Sequence, residues 1–250
     1  MGTSQINAQT DLLRTLTIAE TLSAPLLITL ILTFLLGVYQ VIRDLRTLSS
    51  NFSDAEHGVG DPLANLGPYF PNGRGLDGYL QAINDSFWSY ADGLRMHHVA
   101  YFFQSGRDQF SLPYVLYVFG ETLAALRWGV PSDSDAAKQP LLVRLMSQFE
   151  RFVDYLHDQL HWPSEMPAPL SFDDFCAAHE GAVETPDIWA ARFLQLSRDM
   201  ERLAGRAGIH DSQEAYARYR LWLPFAYRCQ CATSAVSRDL DYQPMLRIRA

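Results

Sequence analysis

His157 and His161 stand four residues apart in a stretch with helical periodicity, so both imidazoles would share one face, at a spacing that can bind a metal. The residue after His157 is Asp158 rather than the Glu of a hydrolytic zinc helix, and spacing suggests no third ligand. Near the end of a helix, imidazoles also answer the partial negative charge of the last carbonyls, so a surface or capping role competes with metal binding. His97 and His98 are adjacent and would face apart. Of the three cysteines, Cys229 and Cys231 would diverge by about 200° on a helix, which suits neither a chelate nor a disulfide. No Gly-x-Ser-x-Gly elbow, phosphate-cradling glycine loop or Cys-x-x-Cys pair is present. No residue is expected to be catalytic or to hold a cofactor.

Glu121 is the most informative charged residue. It lies in Leu112–Trp128, where Leu112, Val115, Leu116, Phe119, Leu123 and Leu126 form an apolar face. At about 100° per residue Glu121 falls opposite that face, yet its neighbours there are Tyr114, Tyr117, Ala124, Ala125 and Trp128. A helix apolar nearly all round is central, and a carboxylate on it must be paired or shift its pKa. The last helix carries Arg220 and Arg228 among aromatics. The expectation is a buried structural ion pair from Glu121 to Arg220 or Arg228; an acid at the floor of a pocket is the functional alternative.

The elements that would position these residues are all helical, with no alternating strand pattern bounded by turn signals. Helices are expected over 76–104, as one or two; from an N-cap at Ser111 to Trp128; from Pro140 to about His161; after Ser171; from Thr185 and Pro186 to Gly205; and from Asp211 or Ser212 to about Asp239. Pro224 should kink the last of these without ending it. The fold class is all-α: one N-terminal transmembrane helix followed by a soluble multi-helix bundle. The expected organisation is a polar tail over 1–17, the transmembrane helix and its extension over 18–48, and a Gly/Pro-rich linker or partly packed loop over 49–75. A helical domain follows over 76–241, with a loose C-terminal tail over 242–250.

No charged residue falls between Glu20 and Arg43. The 22 residues from Thr21 to Ile42 reach about 33 Å as a helix, enough for a hydrocarbon core of about 30 Å. Pro25 is expected in the first turn or two. The run is too long for a cleaved signal peptide, and polar residues that include Asp11 and Glu20 precede it. Arg43 and Arg46 follow the span while Arg14 alone precedes it, which favours a cytoplasmic domain; the sequons at Asn51 and Asn84 argue the other way. Thr29, Thr33 and Gly37 form a small-residue stripe of the kind that lets two membrane helices pair, so a homodimer is one possible partnership beside the lipid bilayer.

The net charge of −8 argues against nucleic acid, which demands basic surface. The run from Pro113 to Trp128 behind one anchor, with Tyr219-Arg-Leu-Trp-Leu-Pro-Phe-Ala-Tyr near the C-terminus, resembles a loosely defined family of single-anchor, all-helical membrane proteins of bacteria, algae and plants. That family has no assigned activity, so the resemblance implies fold and topology but no chemistry. The chain departs from the family's pattern at Trp128, where a second basic residue would follow Arg127. The functional expectation is a membrane-tethered helical interaction or regulatory module. The alternative is a membrane-associated enzyme with a pocket inside the bundle, acting on a small apolar or lipid-like substrate.

Overall fold

The computed structural model describes residues 11–52, 63–103, 108–163, 165–181, 187–205 and 211–242. The fold is all-α, with no strand among the described residues. The helices are α1 (Asp11–Ser50), α2 (Leu76–Met96), α3 (Leu112–Ala124), α4 (Pro140–Leu160), α5 (Phe172–His179), α6 (Ile188–Ala204) and α7 (Ser212–Asp239).

α1 corrects two expectations. It begins by Asp11, so residues 11–17 are helical rather than a loose tail, and Pro25 lies inside the helix rather than in its opening turns. Proline there removes one backbone bond. Nearby hydroxyls donate to backbone oxygens of the same stretch, Thr29 Oγ1 to Pro25 O and Thr33 Oγ1 to Thr29 O, each at 2.8 Å. α1 is long and apolar enough to cross a membrane. Leu26, Leu30 and Leu36 are 67–69% exposed, which no core helix of a soluble bundle would show.

The second half of α1 belongs to the domain. Val38, Val41, Leu45 and Leu48 recur at helical spacing, are all buried, and lead to Phe52, which is fully buried. α2 packs against this stretch antiparallel. Asn51 Nδ2 donates to Ser86 Oγ at 2.8 Å, and Ser89 Oγ donates to Asp44 at 3.1 Å. Val41 lies against Gly93, and His97 against Gly37. The core therefore already includes α1 from Val38 onward, ahead of the start expected near Leu76, and within 49–75 residues 53–62 lie outside the described residues. The described parts of that stretch are packed: Leu66 is buried in a 3₁₀ turn over Ala64–Tyr69, Asn65 Nδ2 donates to Phe52 O at 2.8 Å, and Tyr69 stacks on Tyr79.

α3 is the central helix that its apolar surround predicts. Ser111 caps it, accepting from Tyr114 N, and Pro113 sits in its first turn. It widens into a π turn over Ala125–Gly129 before Pro131. Every residue from Leu112 to Ala124 is buried except Tyr117 and Glu121. Phe119 meets Phe149 of α4 edge-on, with ring centroids 4.9 Å apart, and Phe52 and Phe87 close the same aromatic cluster. Gly120 lets α7 approach: a β-carbon there would lie 3.1 Å from Cys229 Sγ.

Pro224 lies inside α7, as expected, while residues 243–250 of the C-terminal tail lie outside the described residues. Ser171 caps α5 and donates to Asp174. The expected start of α6 at Thr185 and Pro186 also lies outside the described residues. The helix begins at Ile188, with Asp187 as N-cap accepting from Ala190 N at 2.6 Å.

Candidate functional site

Glu121 of α3 is held by an arginine, but not by either expected one. Arg192 of α6 places Nη2 2.9 Å from Glu121 Oε1 and Nη1 2.6 Å from Gln230 Oε1 of α7. One guanidinium thus bonds to two neighbouring helices, using two of its five donors. Its far side rests 5.0 Å over the Trp189 ring, one helical turn back. Arg220 is exposed on the surface of α7, and Arg228 pairs instead with Asp154 of α4 at the protein surface. The apolar surround of Glu121 was a sound guide to burial. The identity of the cation depended on where α6 docks, which no local pattern encodes.

The pair lies at the wall of a cavity of about 290 Å³ between α3, α6 and α7. Tyr117 and Glu121 line it from α3, Arg192 from α6, and Cys229, Gln230 and Thr233 from α7. Exposed Ser234 and Arg238 stand on its open side. The Glu121 side chain keeps 21% of its surface accessible, and the cavity is where that surface opens. Burial lifts its carboxyl above the ordinary glutamate range, and Arg192, by charge and hydrogen bond, opposes the lift. Burial also pushes the Cys229 thiol well up, with the Glu121 carboxylate adding to it, so this sulfur is a poor nucleophile. Thr233 Oγ1 is buried and has no hydrogen-bond partner among the described residues. The size matches the lower end of small-molecule sites, about 300–1,000 Å³, and few polar groups converge on it.

The chain matches no family model, no curated protein and no solved structure.

The histidine pair is not brought together. α4 ends at Leu160, and His161 turns away with a left-handed backbone, φ 51°, so it leaves the helical face it was expected to share. His157 packs edge-on against Trp162, at 4.7 Å, beside a second cavity of about 230 Å³ that also takes in Asp154, Tyr227 and Cys231. Among the described residues no group of three or more His, Cys, Asp or Glu could hold a metal. Cys229 and Cys231 line different cavities, as their divergence on a helix predicts. Gly37, the last member of the small-residue stripe, is filled from within the chain. A β-carbon there would lie 2.5 Å from His97 Nε2, so this notch receives an imidazole, while Thr29 and Thr33 remain exposed.

Arg218 is the buried arginine that the sequence reading missed. It is 3% exposed, and its Nη1 donates to Trp128 O at 2.6 Å and to Val130 O at 3.0 Å. Those carbonyls close the C-terminal end of α3 and its π turn, where a cation is favoured. Glu214, one turn back, accepts from Ser132 N and Oγ at 2.9 Å each, fastening the same loop. A signal was present: Glu214 and Arg218 are four apart, and Arg218 falls within the stripe Ala215, Tyr219 and Trp222.

Proposed function

We propose that this chain is a single-pass membrane protein whose helical domain acts as an interaction or regulatory module, with the Glu121–Arg192 cavity as its ligand site. The observation that carries this reading is the cavity itself. It opens beside an arginine that bonds to α3 and α7 at once. A ligand that competes for Glu121 or Gln230 would release Arg192 and loosen the contact of α6 with both helices, which couples occupancy to helix packing. The walls favour a small, largely apolar molecule with one hydrogen-bonding group, since Arg192 and Glu121 already neutralise each other.

The exposed apolar half of α1 supports the membrane reading. So does its buried half: cleavage just after the apolar run would strip Val38 and Val41 from the core. A cytoplasmic domain agrees with Arg43 and Arg46 after the span. Neither sequon weighs much against it. Asn84 is 6% exposed, and the Asn51 amide is engaged with Ser86.

Native mass spectrometry of the full-length protein, released from its own membranes in mild detergent, tests the site. Wild type should carry a small-molecule mass that Ser234→Trp, a change at an exposed position on the cavity's open side, loses. If wild type and variant are equally empty, the cavity is not the ligand site. The second reading, an enzyme acting on a small apolar or lipid-like substrate, draws on the Glu121 carboxyl at the cavity wall, raised by burial in the direction a general acid needs. Conversion of the bound molecule by wild type but not by Glu121→Gln would favour it.

A further inference from the structure

Met96, Phe102 and Phe103 are 67%, 65% and 51% exposed and lie within eight residues of one another. Met96 ends α2, and Phe102 ends the 3₁₀ turn His98–Phe102 that follows it. In water such a group would be an unexplained apolar patch. Its place along α1 accounts for it. The antiparallel register carries α2 down α1 in steps: Ser86 at Asn51, Ser89 at Asp44, Gly93 at Val41 and His97 at Gly37. The His97 ring then stands 6.2 Å from that of Phe34.

The first charged side chain after the apolar run of α1 is Arg43. Gly37 lies six residues before it, about 9 Å along the helix axis. The tip of α2 therefore reaches below the level at which α1 becomes polar, by a depth close to the 5–10 Å at which interfacial apolar groups sit. Asp92 is exposed one turn back along α2 from Met96, and Arg95, exposed directly before Met96, has a long basic side chain that reaches a headgroup layer readily. His98 is the exposed polar side chain on the turn itself.

We propose that Met96, Phe102 and Phe103 form a second membrane contact, a shoulder inserted into the interfacial layer of the same bilayer that α1 crosses. This rests on the reading of α1 as a span. The domain is then seated on the lipid surface at two points.

The test uses the full-length protein in phosphatidylcholine–phosphatidylglycerol vesicles that contain a phosphatidylcholine with a diazirine in its acyl chain. After illumination, proteolysis and mass spectrometry locate the lipid adducts. Adducts are expected in the apolar half of α1 and in Met96–Phe103, and not at Val143 or Leu221, which are 46% and 64% exposed elsewhere on the domain. Labelled α1 with unlabelled Met96–Phe103 overturns the shoulder and leaves the span standing. Adducts at Val143 and Leu221 equal to those at Phe102 also overturn it. Unlabelled α1 overturns the span and the shoulder with it.

Discussion

Arg192 and Glu121 meet at 2.9 Å across the α3–α6 contact, and Arg192 carries the link onward to Gln230 of α7. Removing the cation leaves a carboxylate among apolar neighbours. Because both side chains keep about a fifth of their surface, the loss should fall below the 3–5 kcal/mol of a fully buried pair. Arg192→Met is expected to cost about 1–3 kcal/mol. A double-mutant cycle with Glu121→Gln should return a coupling of roughly 1 kcal/mol by chemical denaturation. A coupling of zero would mean that the contact is incidental.

The same carboxyl makes stability depend on pH. Its native pKa is raised, chiefly by burial. The native state then keeps this proton to higher pH than the unfolded chain does. The contribution is full below the ordinary glutamate value of about 4.3 and is lost as pH rises through the native one. Relative to Glu121→Gln, wild type should therefore be most stable in acid and lose ground as pH rises above the ordinary glutamate value of about 4.3. Melting curves of the two proteins across that range test the sign; a flat or opposite difference contradicts it.

Arg218 and Arg220 are two residues apart and should behave very differently. Arg218→Met strands the carbonyls of Trp128 and Val130 and should cost about 2–4 kcal/mol. Arg220→Met, at an exposed position, should stay within about 0.5 kcal/mol of wild type. Equal effects in a denaturant titration would refute the capping role of Arg218.

Thr233 separates stability from binding. Its hydroxyl is buried without a partner among the described residues, so Thr233→Val removes an unmet polar group at nearly constant shape. The unliganded protein should gain about 0.5–1 kcal/mol. The small-molecule mass retained through native mass spectrometry should fall. A destabilised variant that binds normally would show that the hydroxyl serves the fold.

Gly37 has room for His97 only because it lacks a β-carbon. Gly37→Leu should lower the melting temperature, and His97→Ala should restore part of it, since the clash involves that ring. Failure of the second change to rescue the first would place the defect elsewhere on α1.

Much of this architecture was legible in the sequence. Ser111, Ser171 and Asp211 are caps with the expected side-chain chemistry, and the three-four spacing of apolar residues drew most helices within a few positions. Glu121 could be placed in a central helix because Tyr114, Tyr117 and Trp128 left it no polar face. Its partner could not be read, because Arg192 arrives from a helix more than sixty residues away whose docking depends on intervening loops. The three-four spacing of Val41, Leu45 and Leu48 carries the helix past the apolar run but does not say what covers that face. The glycines and prolines after Phe52 suggested a boundary, and only the packing of α2 shows that the core had already begun.

The continuity of α1 has a mechanical consequence. The helix runs unbroken from Asp11 to Ser50, and its last turns are wedged into the domain by Val41, Leu45 and Leu48. No joint separates the apolar stretch from the bundle. In a bilayer thinner than the apolar stretch, a helix answers by tilting. Here the bundle would have to lean with it, as a mast takes its rigging. The membrane's thickness would then set the angle at which the Glu121–Arg192 cavity faces its surroundings.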